Sequence, residues 1–118
     1  MDGLMAKAAD FSGYITELAN WLREERKDFL HTGHLLECGN GVSDALRQAY
    51  TYPEHERDFC CQALDHIEDF QTLFSFMVKS GVITEIQSRP LLTDCRIIKE
   101  ETQRLIIQNS DQKTEPRI

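Results

Sequence analysis

The sequence predicts an all-α protein, an antiparallel up-down-up-down bundle of four helices. Apolar residues repeat at alternating steps of three and four over four successive segments, which is the spacing of one helix face. No stretch carries the apolar–polar alternation of a strand. A chain of 118 residues suits one domain, and the short connections favour antiparallel neighbours. We therefore assign residues 1–108 to the bundle.

The first helix is predicted over residues 5–30. Its apolar stripe runs through Phe11, Ile15 and Leu22, which would face the core together. We expect the helix to stop at the polar junction around Gly33, because glycine commonly ends helices in the left-handed conformation.

The second helix is predicted over residues 34–50, with Gly39 and Gly41 in its middle. Two glycines cost about 2 kcal/mol of helix propensity relative to alanine. Either the helix continues because a neighbour packs tightly against these glycines, or it begins after them, near Ser43. We favour the continuous helix.

The third helix is predicted over residues 53–80, with Pro53 at its start, where a missing N–H costs nothing. Its stripe keeps a period of 3.5, as in helices that pack at small crossing angles. The stripe consists of Cys60, Ala63, Ile67, Phe70, Phe74 and Met77, and Gly81 follows as a stop.

The fourth helix is predicted over residues 84–108. Thr84 and Gln87 have the spacing of a capping box, and we expect Pro90 to bend or delay the helix. Residues 109–118 contain little that can bury a face, so a disordered C-terminal tail is expected.

The composition disfavours several classes of protein. There are 20 acidic and 13 basic residues, a net charge of −7, which opposes binding to phosphate backbones. No apolar run is long enough to span a membrane, and the first residues lack the pattern of a signal peptide. We expect a cytoplasmic protein with its four cysteines reduced, since they fall within apolar helical patterns: Cys38, Cys60, Cys61 and Cys95.

Few residues are spaced for metal binding or catalysis. His31, His34 and Cys38 fall at i, i+3 and i+7 and offer three zinc ligands, but no fourth ligand is adjacent in the sequence. The Glu-x-x-His motif of di-iron bundles is absent. Cys61 and His66 lie five residues apart and so face different ways. We expect no metal, no cofactor and no catalytic residue.

Two surfaces are candidates for partners. Apolar residues beyond the main stripes predict an interface strip, formed by Leu73, Phe76, Val78, Ile97 and Ile107. The alternative is a hairpin of the third and fourth helices that covers them within one chain. A small basic cluster, Arg96, Lys99 and Arg104, is a candidate nucleic-acid contact, although no third of the chain is net basic.

Residues 63–84 resemble the third-helix signature of the bacterial "four helix bundle protein" family, first noticed in reading frames inside intervening sequences of ribosomal RNA genes. The match starts at Ala63 and Leu64 and continues without a gap through an acidic amphipathic stretch to Gly81. Thr84 stands where the family usually has serine. The family's second-helix motif contains a proline and a glutamate, and residues 41–49 contain neither. The resemblance is that of a divergent member.

The resemblance implies a left-handed antiparallel bundle that assembles, in several members, into a ring of five copies. A relative in diversity-generating retroelements is basic and binds a reverse transcriptase and nucleic acid. From residues and resemblance together we expect a non-enzymatic, self-assembling scaffold or adaptor whose main partner is another copy of itself. The alternative is a nucleic-acid-associated accessory protein.

Overall fold

Four helices form the fold in the computed structural model, which describes the backbone of residues 2–26 and 28–114 and the side chains of residues 3–26 and 28–108. The helices are α1 (Asp2–Glu25), α2 (Leu30–Thr51), α3 (Glu56–Lys79) and α4 (Glu85–Thr114), with a 3₁₀ turn, Pro53–His55, before α3. The described residues include no strand. The predicted all-α four-helix bundle is confirmed.

The helices are arranged in chain order around the bundle. Each packs against its neighbours in sequence, and α1 closes the bundle by packing on α4 in the least extensive of the four helix contacts. Side chains of α1 and α3 are in contact across the diagonal of the bundle. The ring centroids of Phe11 and Phe70 lie 5.0 Å apart in an edge-to-face arrangement. Phe74 stacks on Phe70 at 4.5 Å. The four predicted stripes therefore fill one core.

The junction between α1 and α2 lies earlier than predicted. Helix α1 ends at Glu25 and α2 begins at Leu30, so Gly33 lies inside α2 and does not end a helix. The reason is Asp28, whose Oδ1 accepts the backbone N–H of His31 at 3.0 Å. A carboxylate there satisfies a free donor of the first turn, and this capping starts α2 upstream of the glycine.

The second helix is continuous through Gly39 and Gly41, as favoured from the sequence. A Cβ atom on Gly39 would lie 2.9 Å from Cδ1 of Ile15 in α1. One on Gly41 would lie 2.6 Å from the ring of His66 in α3. Because the two glycines have no side chain, Ile15 and His66 can pack close to the backbone of α2. We expect this packing to offset the poor helix propensity of glycine.

The turn between α3 and α4 follows the predicted pattern. Gly81 has a φ of +78°, the left-handed conformation expected after a helix end. The capping box is present, since Thr84 N–H donates to Oε1 of Gln87 at 2.9 Å and Gln87 N–H donates to Oγ1 of Thr84 at 3.1 Å. These bonds fix the start of α4.

The fourth helix begins at Glu85 and contains Pro90, which therefore does not delay it. Proline has no N–H, so the carbonyl of Ile86 lacks its i+4 donor. The helical backbone continues to Thr114, past residue 108, at which we expected it to end. The rest of the expected tail, residues 115–118, lies outside the described residues.

Candidate interaction surfaces beside the fourth helix

A groove of about 900 Å³ lies between α1 and α4 and is called the α1–α4 groove below. Its lining residues are Tyr14, Glu17, Leu18, Ile86, Gln87, Arg89, Pro90, Leu91, Thr93 and Asp94. Ile86 is 76% exposed and Tyr14 is 51% exposed, whereas Leu91 is buried. Two large apolar side chains exposed along the same groove are a feature of interaction sites.

The charges of the α1–α4 groove are mixed in sign. Glu17 and Asp94 provide carboxylates and Arg89 a guanidinium. Asp94 also accepts from Lys7 across the α1–α4 boundary, with 3.4 Å between Oδ1 and Nζ. Such a surface suits an apolar partner with few charges rather than a strongly acidic or basic one.

A second groove, of about 600 Å³, lies between α3 and α4 and is called the α3–α4 groove below. Its lining residues are Gln71, Ser75, Val78, Lys79, Glu85, Ser88, Arg89, Leu92, Thr93 and Arg96. Val78 and Leu92 are its apolar members. Arg89 and Thr93 lie on the ridge of α4 and border both grooves.

The α3–α4 groove is the basic region of an acidic molecule. Lys79, Arg89 and Arg96 line it together with the single carboxylate of Glu85. None of these three cations forms an ion pair with a carboxylate within the described part of the chain.

The residues predicted as an interface strip do not lie on one surface. Leu73 is only 9% exposed and belongs to the core. Phe76 is 58% exposed and its ring lies 5.9 Å from that of His31 in α2. Val78 lines the α3–α4 groove instead, Ile97 is half-buried, and Ile107 is exposed near the far end of α4.

The predicted basic cluster is also divided. Arg96 lines the α3–α4 groove and Lys99 is half-buried beside it along α4. Arg104 lines a separate cavity of about 220 Å³ with Leu4 and Glu101. In the structure Arg96 lines the same groove as Lys79 and Arg89. The sequence did not predict this group because Lys79 comes from another helix.

Phe76 in α3 and Leu30 in α2 are two further exposed apolar residues, together called the α2–α3 patch below. Leu30 is 82% exposed at the start of α2, next to His31, whose ring contacts Phe76. Since the helices run in chain order around the bundle, the α2–α3 side lies opposite the α1–α4 side. The exposed Leu30 and Phe76 therefore belong to the pair of helices opposite the pair that forms the α1–α4 groove.

The residues considered for metal binding have other roles. Nδ1 of His31 lies 2.6 Å from Oδ2 of Asp28. His34 is exposed and Cys38 is buried. Burial raises the pKa of Asp28, whereas its hydrogen bonds with the side chain and backbone of His31 lower it. The lowering effects together are larger, so the pKa lies below its usual value. The described residues contain no cluster of three metal-ligating side chains.

Three of the four thiols are poor nucleophiles. Burial, with smaller contributions from nearby acidic groups, raises the pKa of Cys38 and of Cys60 to about 11. Burial raises the pKa of Cys95 to about 12 against the opposing effect of Lys99. Cys61 is exposed, and all four are free thiols. Thiols with a pKa this high stay protonated at neutral pH and react slowly.

Within the described part of the chain, no helix combines the length and the apolar character needed to cross a bilayer.

Comparisons with known proteins identify a structural neighbour. No protein-family model matches the chain, and no curated protein matches its sequence. A crystal structure of a protein of unknown function from the S23 ribosomal protein family of Bacteroides thetaiotaomicron superposes with a TM-score of 0.83 at 19% identity. The match covers 87% of this chain and 97% of the neighbour. At that identity the neighbour establishes a shared fold.

Proposed function

We propose that this protein is a non-enzymatic, cytoplasmic scaffold that assembles with copies of itself, and that it is a divergent member of the four helix bundle family it resembles. The observation that carries the proposal is the exposure of Ile86 and Tyr14 over the α1–α4 groove. Covering apolar surface contributes roughly 25 cal/mol per Å², so a second copy in this groove would be stabilising.

The occupant of the groove is the α2–α3 patch of the next copy. Leu30 and Phe76 are exposed on α2 and α3, the pair of helices opposite the pair that forms the groove. When two complementary surfaces lie on opposite faces, each copy binds the next head to tail, and a closed ring results if the rotation per copy closes. The family resemblance suggests a ring of five copies.

The proposal is tested by the molar mass of the protein in solution, measured by light scattering across a range of concentrations. We expect a single assembly larger than a monomer, and a monomer for Ile86→Asp and for Phe76→Asp. The matched control is Ile107→Asp, an exposed isoleucine in the same helix outside the groove, which should keep the assembly. A monomeric wild-type protein at micromolar concentration would refute self-association.

The nucleic-acid accessory role ranks second. The observation in its favour is that Arg96, Lys79 and Arg89 line the same groove. Against it, the net charge of −7 repels polyanions at long range. Retention on a nucleic-acid column at low salt, where electrostatic attraction is strongest, is the test of this role.

A further inference from the structure

The α3–α4 groove has properties that self-assembly through the α1–α4 groove does not use. We propose that it binds an acidic amphipathic helix of a partner protein. The inference rests on the groove's shape, its apolar floor and its unpaired cations, and it does not depend on the proposed function.

The shape of the site suits a helix. Two antiparallel helices, α3 and α4, form its walls, and Val78 and Leu92 contribute apolar surface between them. Leu92 is partly exposed and Val78 is half-buried. A helix that lies in such a groove places residues at i, i+3, i+4 and i+7 on the apolar floor and its remaining residues toward the rim.

The cations are placed on both walls. Lys79 comes from the last turn of α3, and Arg89 and Arg96 come from α4. Arg89 and Arg96 are seven residues apart, which is about 10 Å along a helix axis. Carboxylates one heptad apart on a bound helix have the same spacing, so an acidic helix can match both arginines at once.

The charge balance identifies the partner as acidic. None of the three cations has an ion pair within the described part of the chain, although the sequence offers 20 acidic residues. The one carboxylate of the groove, Glu85, lies in the first turn of α4, where the helix dipole favours negative charge. The cations are therefore left for an external anion.

The apolar floor favours a peptide over a nucleic acid. A phosphate backbone carries one charge per nucleotide and gains little from valine and leucine side chains. It also meets the repulsion of the whole acidic surface. An amphipathic helix of about four turns brings only a few carboxylates and covers the floor with its own apolar residues.

The test is a titration of the full-length, ¹⁵N-labelled protein, followed by amide NMR signals. The probe is a synthetic helical peptide of about 16 residues, long enough to be partly helical, with leucines on one face, a few glutamates at heptad spacing beside them, and alanine and glutamine elsewhere. Two comparison probes are the same peptide with lysine in place of glutamate, and a short single-stranded DNA oligonucleotide. We expect the acidic peptide to shift signals around Val78, Leu92 and Arg96 at low salt.

The charge variants separate site binding from general attraction. Lys79→Glu combined with Arg96→Glu should weaken binding of the acidic peptide by at least about tenfold. The control, Arg23→Glu combined with Arg57→Glu, changes the net charge equally at exposed arginines outside the groove and should leave binding within about twofold. Arg89 is left intact because it borders both grooves.

Four results would overturn the inference. These are no shifts with the acidic peptide, equal binding of the lysine peptide, equal weakening by the control pair, and tighter binding of the oligonucleotide in the same groove. Loss of self-assembly in Lys79→Glu/Arg96→Glu would also overturn it, because the groove would then belong to the contact between copies. Circular dichroism of each variant verifies that its fold is intact.

Discussion

The two sides of the bundle are built differently. Around α2, glycines let α1 and α3 approach so closely that a single Cβ atom would collide with Ile15 or His66. Around α4, grooves remain on both sides, and Pro90 and the unpartnered, buried hydroxyl of Thr102 lie in the same helix. We infer that the contacts of α2 stabilise the monomer, whereas α4 presents its surfaces to partners.

The largest expected effect is at Gly39. Gly39→Leu places a side chain against the buried Ile15 and should lower the free energy of unfolding by about 2–3 kcal/mol. Gly33→Ala, in the same helix with open space around it, should raise it by about 0.5–1 kcal/mol. Urea denaturation measures both. If the two variants changed stability in the same direction, close packing would not explain Gly39.

Native-state thiol labelling compares the two sides directly. Cys38 in α2 and Cys95 in α4 are both buried, so each reacts only after the helix opens. We expect Cys95 to react about tenfold faster than Cys38, corresponding to about 1.4 kcal/mol less opening free energy. Exposed Cys61 should react first and serves as the internal reference. Equal rates for Cys38 and Cys95, tracked by mass spectrometry, would remove the distinction between the two sides.

A smaller effect on stability is expected from the buried hydroxyl of Thr102 in α4. Thr102 is fully buried, and its Oγ1 has no hydrogen-bond partner. Thr102→Val keeps the shape and removes the unsatisfied group, so it should raise the midpoint of thermal unfolding and add about 1 kcal/mol of stability. Thr102→Ser is the matched control because it keeps the hydroxyl and loses a methyl group. A destabilised valine variant would show that the hydroxyl is bonded in solution.

The smallest effect is the acid dependence at the start of α2. The pKa of Asp28 is lowered in the folded protein, so its contribution to stability is present above the usual value of 3.8 and is lost as the pH falls toward the lower, folded value. Asp28→Asn keeps a capping side chain and should cost about 0.5 kcal/mol near pH 7. The difference from wild type should shrink below about pH 4. A difference that stays constant with pH would contradict the assigned pKa direction.

Much of the fold was predictable because local rules and packing agree. The stripe from Cys60 to Met77, the capping box at Thr84 and the turn at Gly81 all appear as the sequence indicates. The junction at Gly33 was mispredicted because the Asp28 cap, a side-chain interaction, outweighed the general tendency of glycine to end helices.

The surfaces were less predictable than the fold. A groove is lined by residues from two helices, and periodicity within one helix does not say which residues of another helix will face it. Lys79 and Arg96 are 17 positions apart in the chain and meet because α3 and α4 pack side by side. Leu73 was assigned to a surface by its position off the main stripe, and α3 buries it because apolar residues cover more than one of its sides.

The most direct test of head-to-tail assembly mixes two monomeric variants and measures the molar mass of the mixture. Ile86→Asp keeps an intact α2–α3 patch, and Phe76→Asp keeps an intact α1–α4 groove. One productive contact is therefore available between the two variants, and we predict a one-to-one dimer that grows no further. A mixture that stays monomeric, or one that restores the full assembly, would contradict the head-to-tail contact between these surfaces.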